Sequence, residues 1–314
     1  MPDALALVVV FGCGGLLGLQ ARINGELGAR VDSPLVAASV SFIGGALLLA
    51  VLVAAVPQHR AGVRRALSVP TRWWWWVWGG LGGAAVVWAT ADGVPRIGVA
   101  LVSVCVVGGM AAGALGVDAL GLGPGGPRRL TVMRGAGAGL AVGAVTIGAV
   151  GEGHADAQPL LFVALFAAGV AAALQQAANG RLRDAADNAW VAGLVSFAVG
   201  ASVLVVAVAV TRAMSGRPWP GDWWLYTGGP EGVVFIVAAA ALVRRVGVLA
   251  VSLATIAGQL AAAVVLDATW PAPGTTLRAA TVISTVLTVV AVAVAALRRP
   301  PPSRDHGVVG SITP

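Results

Sequence analysis

The chain contains no lysine and only 13 acidic residues in 314 positions. Charged residues make up 11% of the sequence and hydrophobic residues 58%, whereas a soluble domain carries about 25% charged residues. So much apolar surface cannot be hidden in the core of a water-soluble protein. The mean hydropathy of +0.89 agrees, and we expect lipid to surround much of the chain.

Cysteine and histidine are also scarce, with two and three copies in the whole chain. Cys13 and Cys105 both lie inside apolar segments, so no disulfide or metal framework can be inferred from them. The histidines lie outside those segments, and there is no zinc-protease motif, phosphate-binding loop or nucleophile elbow. We therefore expect no enzyme activity, with no catalytic residues, no cofactor and no metal.

The excess of 7 positive charges comes from arginines in short runs between apolar segments. This placement is typical of a polytopic membrane protein, so nucleic acid is not expected as a partner. Suppose that the N-terminus, the even-numbered loops and the C-terminus share one side. Of the 20 basic residues, the other side then holds only Arg22, Arg30, Arg96, Arg212, Arg217 and Arg278. The positive-inside rule therefore predicts that both termini are cytoplasmic.

The apolar segments predict an all-α membrane protein with ten transmembrane helices. A helix needs about 20 predominantly apolar residues to cross a bilayer. Ten segments meet this requirement, at about 4–22, 35–56, 73–92, 97–118, 131–150, 159–179, 189–212, 223–243, 246–267 and 277–297. Only Asp92–Arg96 separates the third segment from the fourth, which predicts a tight helical hairpin.

Residues 20–46 recur at residues 175–201, about 155 positions later. The aligned pairs include Gln20 with Gln175, Asn24 with Asn179, Ser41 with Ser196 and Asp32 with Asp187. At an offset of about 149, further pairs run from Trp74 and Trp223 to Asp118 and Asp267. Composition alone would rarely align amides and carboxylates in register, so we infer an internal duplication.

We predict two repeats of five helices, at residues 1–150 and 151–299, followed by a disordered cytoplasmic tail at 300–314. Because five is odd, the second repeat would enter the membrane from the opposite face. Many secondary transporters have such inverted-topology repeats, with a substrate site near the bilayer midplane between them.

Four motifs give the chain a resemblance to a known family. The first three are Q-x-x-x-N-G-x-L with D-S-P-L-V-A-A-S-V-S-F-x-x-G, then W-W-x-x-x-G-G-x-x-G, then G-V-x-x-V-S. The fourth is G-Q-L at Gln259, with Asp267 eight residues further on. With these motifs the chain resembles the YdcZ-like branch of the drug/metabolite transporter superfamily (the EamA-related proteins), in its fused two-repeat form. The resemblance implies a ten-helix inner-membrane protein that transports a small molecule, and it does not specify the substrate.

The matched amides are the first candidate site residues. Gln20 and Asn24 share one helix face, as do Gln175 and Asn179, because each pair is four residues apart. An amide inside lipid is costly unless it bonds to a neighbouring helix or faces a water-filled cavity. The pairs therefore line a substrate pathway, tie helices together or cap helix ends. We expect the matched serines to bond to the preceding turn of their own helix.

Two polar residues of the second repeat have no counterpart in the first. Glu231 aligns with Gly82, and Gln259 aligns with Met110. A buried carboxyl holds its proton more tightly than an exposed one, so Glu231 is the candidate for proton coupling. A position near the membrane surface is the alternative for Glu231, and Gln259 is a candidate pathway residue.

Other polar and aromatic residues have less distinctive positions. Asp118 and Asp267 lie at helix ends, where we expect interfacial or hydrogen-bonding roles. Most tryptophans mark the start of the third and eighth segments and are typical of interfacial anchors. Trp88 and Trp190 lie elsewhere and are better candidates for contact with a ligand.

Together these features predict a multi-pass protein of the inner (plasma) membrane that exports or imports a small metabolite or drug-like molecule. The alternative is a membrane scaffold or lipid-interacting subunit that has the fold but no transport pathway. The expected partners are the lipid bilayer and a small-molecule substrate, and a homodimer stays an open option. A water-accessible cavity at the amides would favour transport, whereas amides bonded within an apolar core would favour the scaffold.

Overall fold

The computed structural model describes residues 3–124, 126–127, 130–151, 159–214, 216–246 and 248–296. These residues form helices, turns and loops without any strand, which confirms the all-α class. Six described helices are long and apolar enough to cross a membrane, and the segments 253–269 and 279–294 are shorter apolar helices. The tail predicted to be disordered, at 300–314, lies outside the described residues.

The helices are numbered in chain order. They are α1 (Asp3–Arg30), α2 (Pro34–Ala55), α3 (Pro57–Ser68), α4 (Trp73–Ala119), α5 (Val132–Gly151), α6 (Pro159–Ala186), α7 (Ala189–Thr211), α8 (Gly228–Val246), α9 (Val248–Thr269) and α10 (Ala279–Ala296). A short 3-10 helix, Trp223–Tyr226, precedes α8. The polar helix α3 was not predicted, because a twelve-residue helix with few apolar positions gives no transmembrane signal.

Helices α1 and α6 continue beyond the apolar segments that predicted them, to Arg30 and Ala186. In α1 the added turns carry Arg22, Glu26 and Arg30, whose ion pairs at i, i+4 spacing span 3.0 Å and 2.9 Å. Such pairs stabilise a helix where lipid no longer does. The matched amides therefore lie inside α1 and α6, and the suggestion that they cap helix ends is wrong.

Helix α4 consists of two arms, residues 73–97 and 99–119, joined at Gly98. Gly98 has φ 79° and ψ 166°, a conformation that is open to glycine and strained for other residues. Pro95 lies just before this break. Because Pro95 has no backbone N–H and Gly98 leaves helical geometry, the chain reverses direction here.

Contacts with α6 show that the arms of α4 are antiparallel. In the first arm, Gly83 meets Gln175 and Gly93 meets Leu165, so this arm runs against α6. In the second arm, Gly109 meets Phe166 and Gly113 meets Val170, so this arm runs with α6. This arrangement is the helical hairpin that the short Asp92–Arg96 connection predicted.

The two halves of the chain interlock. Helix α6 packs between the two arms of α4, and α1 packs in the same way against α8 and α9. The closest approaches are repeated in the two halves, where Gly14, Gly169, Gly109 and Gly258 each face a backbone carbonyl of the opposing helix. A Cβ at any of these positions would overlap that carbonyl, so only glycine permits the approach.

The remaining helices complete the bundle on either side of this core. Helices α2 and α7 pack against each other, and α5 packs against α10. The turns before α2 and α7 match, since Asp32 and Asp187 both adopt left-handed geometry with φ of 55° and 48°. The following residues, Ser33 and Asn188, cap α2 and α7 with their side chains.

Candidate functional site

The amides of α1 form one polar cluster with α2 and α8, which we name the α1 cluster. It consists of Gln20, Asn24, Ser41 and Gly228. Gln20 Nε2 donates to the carbonyl oxygen of Gly228, and Asn24 Nδ2 donates to Ser41 Oγ over 3.4 Å. Asn24 and Ser41 are buried. They lie directly against the backbone of Gly228, where a Cβ would overlap Asn24 Oδ1. The α1 cluster therefore ties three helices together.

The amides of α6 form a matching cluster with α7 and α4, which we name the α6 cluster. It consists of Gln175, Asn179, Ser196 and Gly79. Gln175 Nε2 and Asn179 Nδ2 both donate to Ser196 Oγ, over 3.0 Å and 3.4 Å. Ser196 Oγ donates in turn to the carbonyl oxygen of Gly79.

The bond from Ser196 to Gly79 corrects one expectation from the sequence. We expected this hydroxyl to bond to the preceding turn of its own helix, and it reaches another helix instead. The reason is the bare glycine backbone of α4, which approaches α7 closely enough to offer a carbonyl. Asn179 Oδ1 is buried and has no hydrogen-bond partner among the described residues, so the α6 cluster has a free acceptor.

Two phenylalanine rings lie between the clusters. Phe42 and Phe197 occupy equivalent positions in the repeats and contact each other with centroids 5.1 Å apart and planes at 39°. The Phe42 ring reaches Gly83, where Gln175 also lies, and the Phe197 ring reaches Gly232, where Gln20 lies. Each ring therefore abuts one cluster, and the pair separates the two clusters by buried apolar surface.

The two clusters lie toward opposite ends of the bundle. Gly25, near the end of α1, meets Val94 close to the α4 turn, and Leu165, near the start of α6, meets Gly93 at the same turn. Helices α1 and α6 thus run in opposite directions. Since each amide pair lies in the later half of its helix, the pairs point toward opposite ends.

This repeated arrangement agrees with a comparison of the whole sequence with known families. The model of a family described as "Putative inner membrane exporter, YdcZ" matches residues 5–147 and 160–294. The chain belongs to this family. A search of curated proteins finds no match to this chain. The YdcZ assignment confirms the resemblance drawn from the motifs, and it places the chain among multi-pass inner-membrane proteins of the drug/metabolite transporter superfamily.

The description of the YdcZ family names an inner-membrane exporter. Both halves of the chain match the same family model, so the two repeats are two copies of one family unit. The match ends at residue 294, close to the end of α10.

Glu231 lies in the first turn of α8, half-buried beside the α1 cluster. Its Oε1 is 3.1 Å from Thr227 Oγ1, and its Oε2 is buried with no partner among the described residues. Thr227 Oγ1 is also 2.8 Å from the carbonyl oxygen of Trp224. The single hydroxyl proton of Thr227 cannot serve both acceptors well. A proton on the Glu231 carboxyl would supply the missing donor.

The first repeat has no room for a carboxyl at the matching position. A Cβ at Gly82 would overlap the carbonyl oxygen of Ala171 in α6. Helix α8 accommodates Glu231 on the corresponding face, so a single carboxyl breaks the symmetry between the clusters. The sequence indicated this asymmetry, although it placed Glu231 deeper in the helix than the structure does.

The other candidate residues lie outside the clusters. Gln259 is half-buried on α9, where its backbone carbonyl meets Gly18 of α1. Trp190 lies in the first turn of α7 and stacks on His59 of α3, with centroids 5.1 Å apart. Trp88 is 41% exposed, so its ring lies at the outer surface of α4. The structure therefore brings the four amides into the clusters, and it does not bring these three side chains with them.

A closed ring of charged and aromatic side chains at the end of α1 was missed by the sequence analysis. Arg22 is only 2% exposed; it donates to the Trp270 carbonyl over 3.0 Å and lies 4.4 Å from the Trp270 ring centroid. Trp270 packs edge-on against Trp224, which Arg30 covers, and Glu26 joins Arg30 to Arg22. The i, i+4 charge spacing in α1 was the available signal.

The opposite end of the bundle has a simpler version of this ring. Arg181 of α6 donates to the carbonyl oxygens of Gly121 and Leu122, over 3.1 Å and 3.2 Å, and lies 5.8 Å from the Trp75 ring. Trp75 and Trp224 are repeat partners, as are Gly121 and Trp270. Each end thus has an arginine beside a tryptophan ring, and the ring of side chains at the α1 end is the larger of the two arrangements.

An open apolar groove lies between α5 and α6. It is lined by Val145, Phe162, Val163, Phe166, Ala167 and Val170. None of the amides borders it, and its lining is suited to acyl chains. In this conformation the amide clusters are closed by their own hydrogen bonds.

Proposed function

We propose that the protein exports a small molecule by alternating access, with the α1 cluster and the α6 cluster closing the pathway at opposite ends. The observation that carries this proposal is the repetition of one closure. In both clusters an amide pair, a serine and a glycine carbonyl join the same three kinds of helix. The Phe42–Phe197 contact between them would be the point about which the halves rock.

Ten transmembrane helices follow if the two arms of α4 cross the membrane separately and α3 lies at its surface. The opposite directions of α1 and α6 support an inverted arrangement of the two repeats, as does the matched packing of α1 and α6 in hairpins of the opposing repeat. Such repeats give transporters two equivalent states that open to opposite sides. With both termini in the cytoplasm, the α1 cluster would close the outer side and the α6 cluster the inner side.

The substrate class follows from what the clusters offer. Asn179 Oδ1 is an unused acceptor, and the amide N–H groups of both clusters become free donors once a cluster opens. The Phe42 and Phe197 rings supply an apolar surface beside them. These groups suit a small amphipathic molecule with at least one hydrogen-bond donor.

Glu231 would couple transport to protons. The carboxyl stands beside the α1 cluster, and its geometry with Thr227 is satisfied when it carries a proton. Opening of the α1 cluster would expose Glu231 to water, where it would release that proton. Movement of the helix would then be linked to proton exchange on one side of the membrane.

The test begins with purified protein and a library of metabolites and drug-like compounds. A ligand that binds the folded state raises the melting temperature, and a ligand at a hundred times its Kd stabilises by about 2.7 kcal/mol. The compounds found are then loaded into proteoliposomes, and their flux is measured with and without a pH gradient. We expect Glu231→Gln to bind the compound normally and to lose the flux driven by the gradient.

Asp92→Asn is the matched control, because Asp92 pairs with the exposed Arg96 in its own helix turn and lies outside both clusters. It should keep both binding and gradient-driven flux. Full pH dependence in Glu231→Gln would remove Glu231 from the coupling while leaving transport intact.

A non-transporting scaffold is the second candidate function. The hydrogen bonds that close both clusters favour it, because such bonds also hold helices together permanently. A scaffold would show no stabilising ligand and no flux in the experiment above. Stabilisation by a ligand together with flux would exclude it.

A further inference from the structure

Helix α3 is held on the rest of the protein in one defined rotation. Arg65 pairs with Asp187 over 2.8 Å, and His59 stacks on Trp190 with planes at 29°. Gly62 and Ala66 are buried, with Gly62 facing Asn188 and Val191 at the turn between α6 and α7. These contacts occupy one face of α3 and fix what its opposite face presents.

The hydrogen bond of Asn188 makes this docking specific. Asn188 Oδ1 accepts the backbone N–H of Trp190 over 2.9 Å, which fixes the orientation of its amide. Its Nδ2 then faces His59 Nδ1 at 2.9 Å and donates to it. The cap of α7 and the position of α3 therefore depend on the same side chain.

The free face of α3 carries basic and apolar side chains together. Arg60, Arg64 and Leu67 follow i, i+4, i+7 spacing and lie on one flank of the helix. All three are exposed, Leu67 by 72%, and the exposed Trp73 follows at the start of α4, open by 73%. We name Arg60, Arg64, Leu67 and Trp73 the α3 surface.

The charge of the α3 surface has little to balance it. The sequence has no acidic residue between Asp32 and Asp92, and the nearby Asp187 pairs with Arg65. Arg60 Nη1 donates to the backbone carbonyl of Ala54, which still leaves other guanidinium N–H groups available. Helix α2 ends just before α3 and α4 begins just after it, so this surface lies level with one end of each of these two apolar helices.

We propose that the α3 surface binds the headgroup phosphates of anionic phospholipids, with Leu67 and Trp73 inserted among the upper acyl-chain carbons. A helix with basic residues beside exposed apolar ones lies in the membrane interface, and tryptophan prefers the same depth. Arginine is well matched to phosphate because its planar group donates two parallel hydrogen bonds. The occupant is thus a lipid headgroup and not a soluble anion, because the apolar half of the surface needs acyl chains.

The full-length protein in a mild neutral detergent is titrated with phosphatidylglycerol or phosphatidylcholine, and bound lipid is counted by native mass spectrometry. We expect tighter binding of phosphatidylglycerol, weakening as salt is raised. Each arginine near an anionic membrane surface contributes about a fivefold change in affinity. Arg60→Gln with Arg64→Gln should therefore weaken the tightest phosphatidylglycerol binding by at least fivefold and leave phosphatidylcholine binding unchanged.

Arg212→Gln is the matched control. Arg212 is an exposed arginine at the C-terminal end of α7, whereas α3 packs against the N-terminal end of α7. It should keep the affinity of the parent protein. Arg64→Lys, which retains the charge, should keep most of it. Equal affinities in the parent and the double variant would overturn the proposal, and so would an equal loss in Arg212→Gln. Melting temperatures of all variants show whether each one is folded.

Discussion

Asp267 of α9 caps the break in α4, although the two helices belong to different repeats. Its carboxylate oxygens accept the backbone N–H groups of Val99 and Ala100 over 2.9 Å and 2.7 Å. These N–H groups begin the second arm of α4 and have no carbonyl partner within the helix. The negative charge also lies at the positive end of that arm's dipole. The hydrogen-bonding role expected for Asp267 is thus found, with partners that its sequence position does not reveal.

We expect Asp267→Asn to destabilise the protein. Hydrogen bonds to a charged group contribute about 1.5–3 kcal/mol, and an asparagine can accept through only one oxygen. Its NH₂ group would face the N–H group that lost its acceptor. The melting temperature in detergent should fall clearly, whereas Asp92→Asn should change the free energy of unfolding by no more than about 0.5 kcal/mol. Equal melting temperatures for the two variants would mean that the cap contributes nothing.

At the scale of helices, glycine decides where the elements meet. Phe42 of α2 fits against Gly200 of α7, and Phe197 of α7 fits against Gly45 of α2. The same contact of a phenylalanine ring with a glycine therefore occurs twice where these two helices cross. Gly14 and Gly109 each approach a backbone carbonyl of the opposing helix. At Gly139 and Gly143, by contrast, an added Cβ would meet no other atom within 4 Å.

The α2–α7 crossing predicts an effect that depends on two residues together. A Cβ in Gly200→Ala would overlap the Phe42 ring, and overpacking costs about 1–3 kcal/mol. Phe42→Leu should lose stability alone by removing apolar contact. The Gly200→Ala/Phe42→Leu double variant should be more stable than the sum of the two single effects, as measured by thermal unfolding.

Gly139→Ala is the control that measures the effect of a glycine-to-alanine change on helix propensity alone. The position is open, so alanine should be neutral or stabilise α5 by up to about 1 kcal/mol. Additive losses in the Gly200 and Phe42 variants would contradict a direct contact at the crossing.

At the scale of the whole molecule, the two ends of the bundle are closed by different contacts. The end near α1 has the closed ring of Arg22, Glu26, Arg30, Trp224 and Trp270, as well as the pair between Arg30 and Asp222. The end near α6 has Arg181 with Trp75 and two loop carbonyls. Under the proposed export cycle, opening of the α1 end would break this ring, and opening of the α6 end would break the Arg181 contacts and the ion pair between Arg65 and Asp187. We therefore expect the two ends to open alternately.

Cysteines placed in the two clusters test this whole-molecule prediction. Asn24→Cys should react with an impermeant maleimide from outside the cell, and Asn179→Cys only from the cytoplasmic side. We expect that a condition that slows labelling of one site speeds labelling of the other. The parent protein serves as a blank because Cys13 and Cys105 are both buried. Labelling of both sites from one side, or of neither under any condition, would contradict the two-ended pathway.

The sequence alone determined the class of the protein, its duplication and its family. Apolar length predicts membrane helices because a bilayer sets a fixed thickness, and matched polar residues reveal a repeat because composition does not align them. The sequence also identified the four amides and Glu231 as candidate site residues. These signals are local, since each depends on spacing within one helix or on comparison of two segments.

Only the tertiary structure decided which helices those residues join. The partners of Gln20, Ser196 and Asp267 lie 208, 117 and 168 positions away in the chain, and no periodicity encodes them. The polar helix α3 and the burial of Arg22 were also decided by packing, because their stabilising contacts come from other parts of the chain. Interlocking of the repeats makes each cluster a joint product of both halves, and that arrangement exists only in three dimensions.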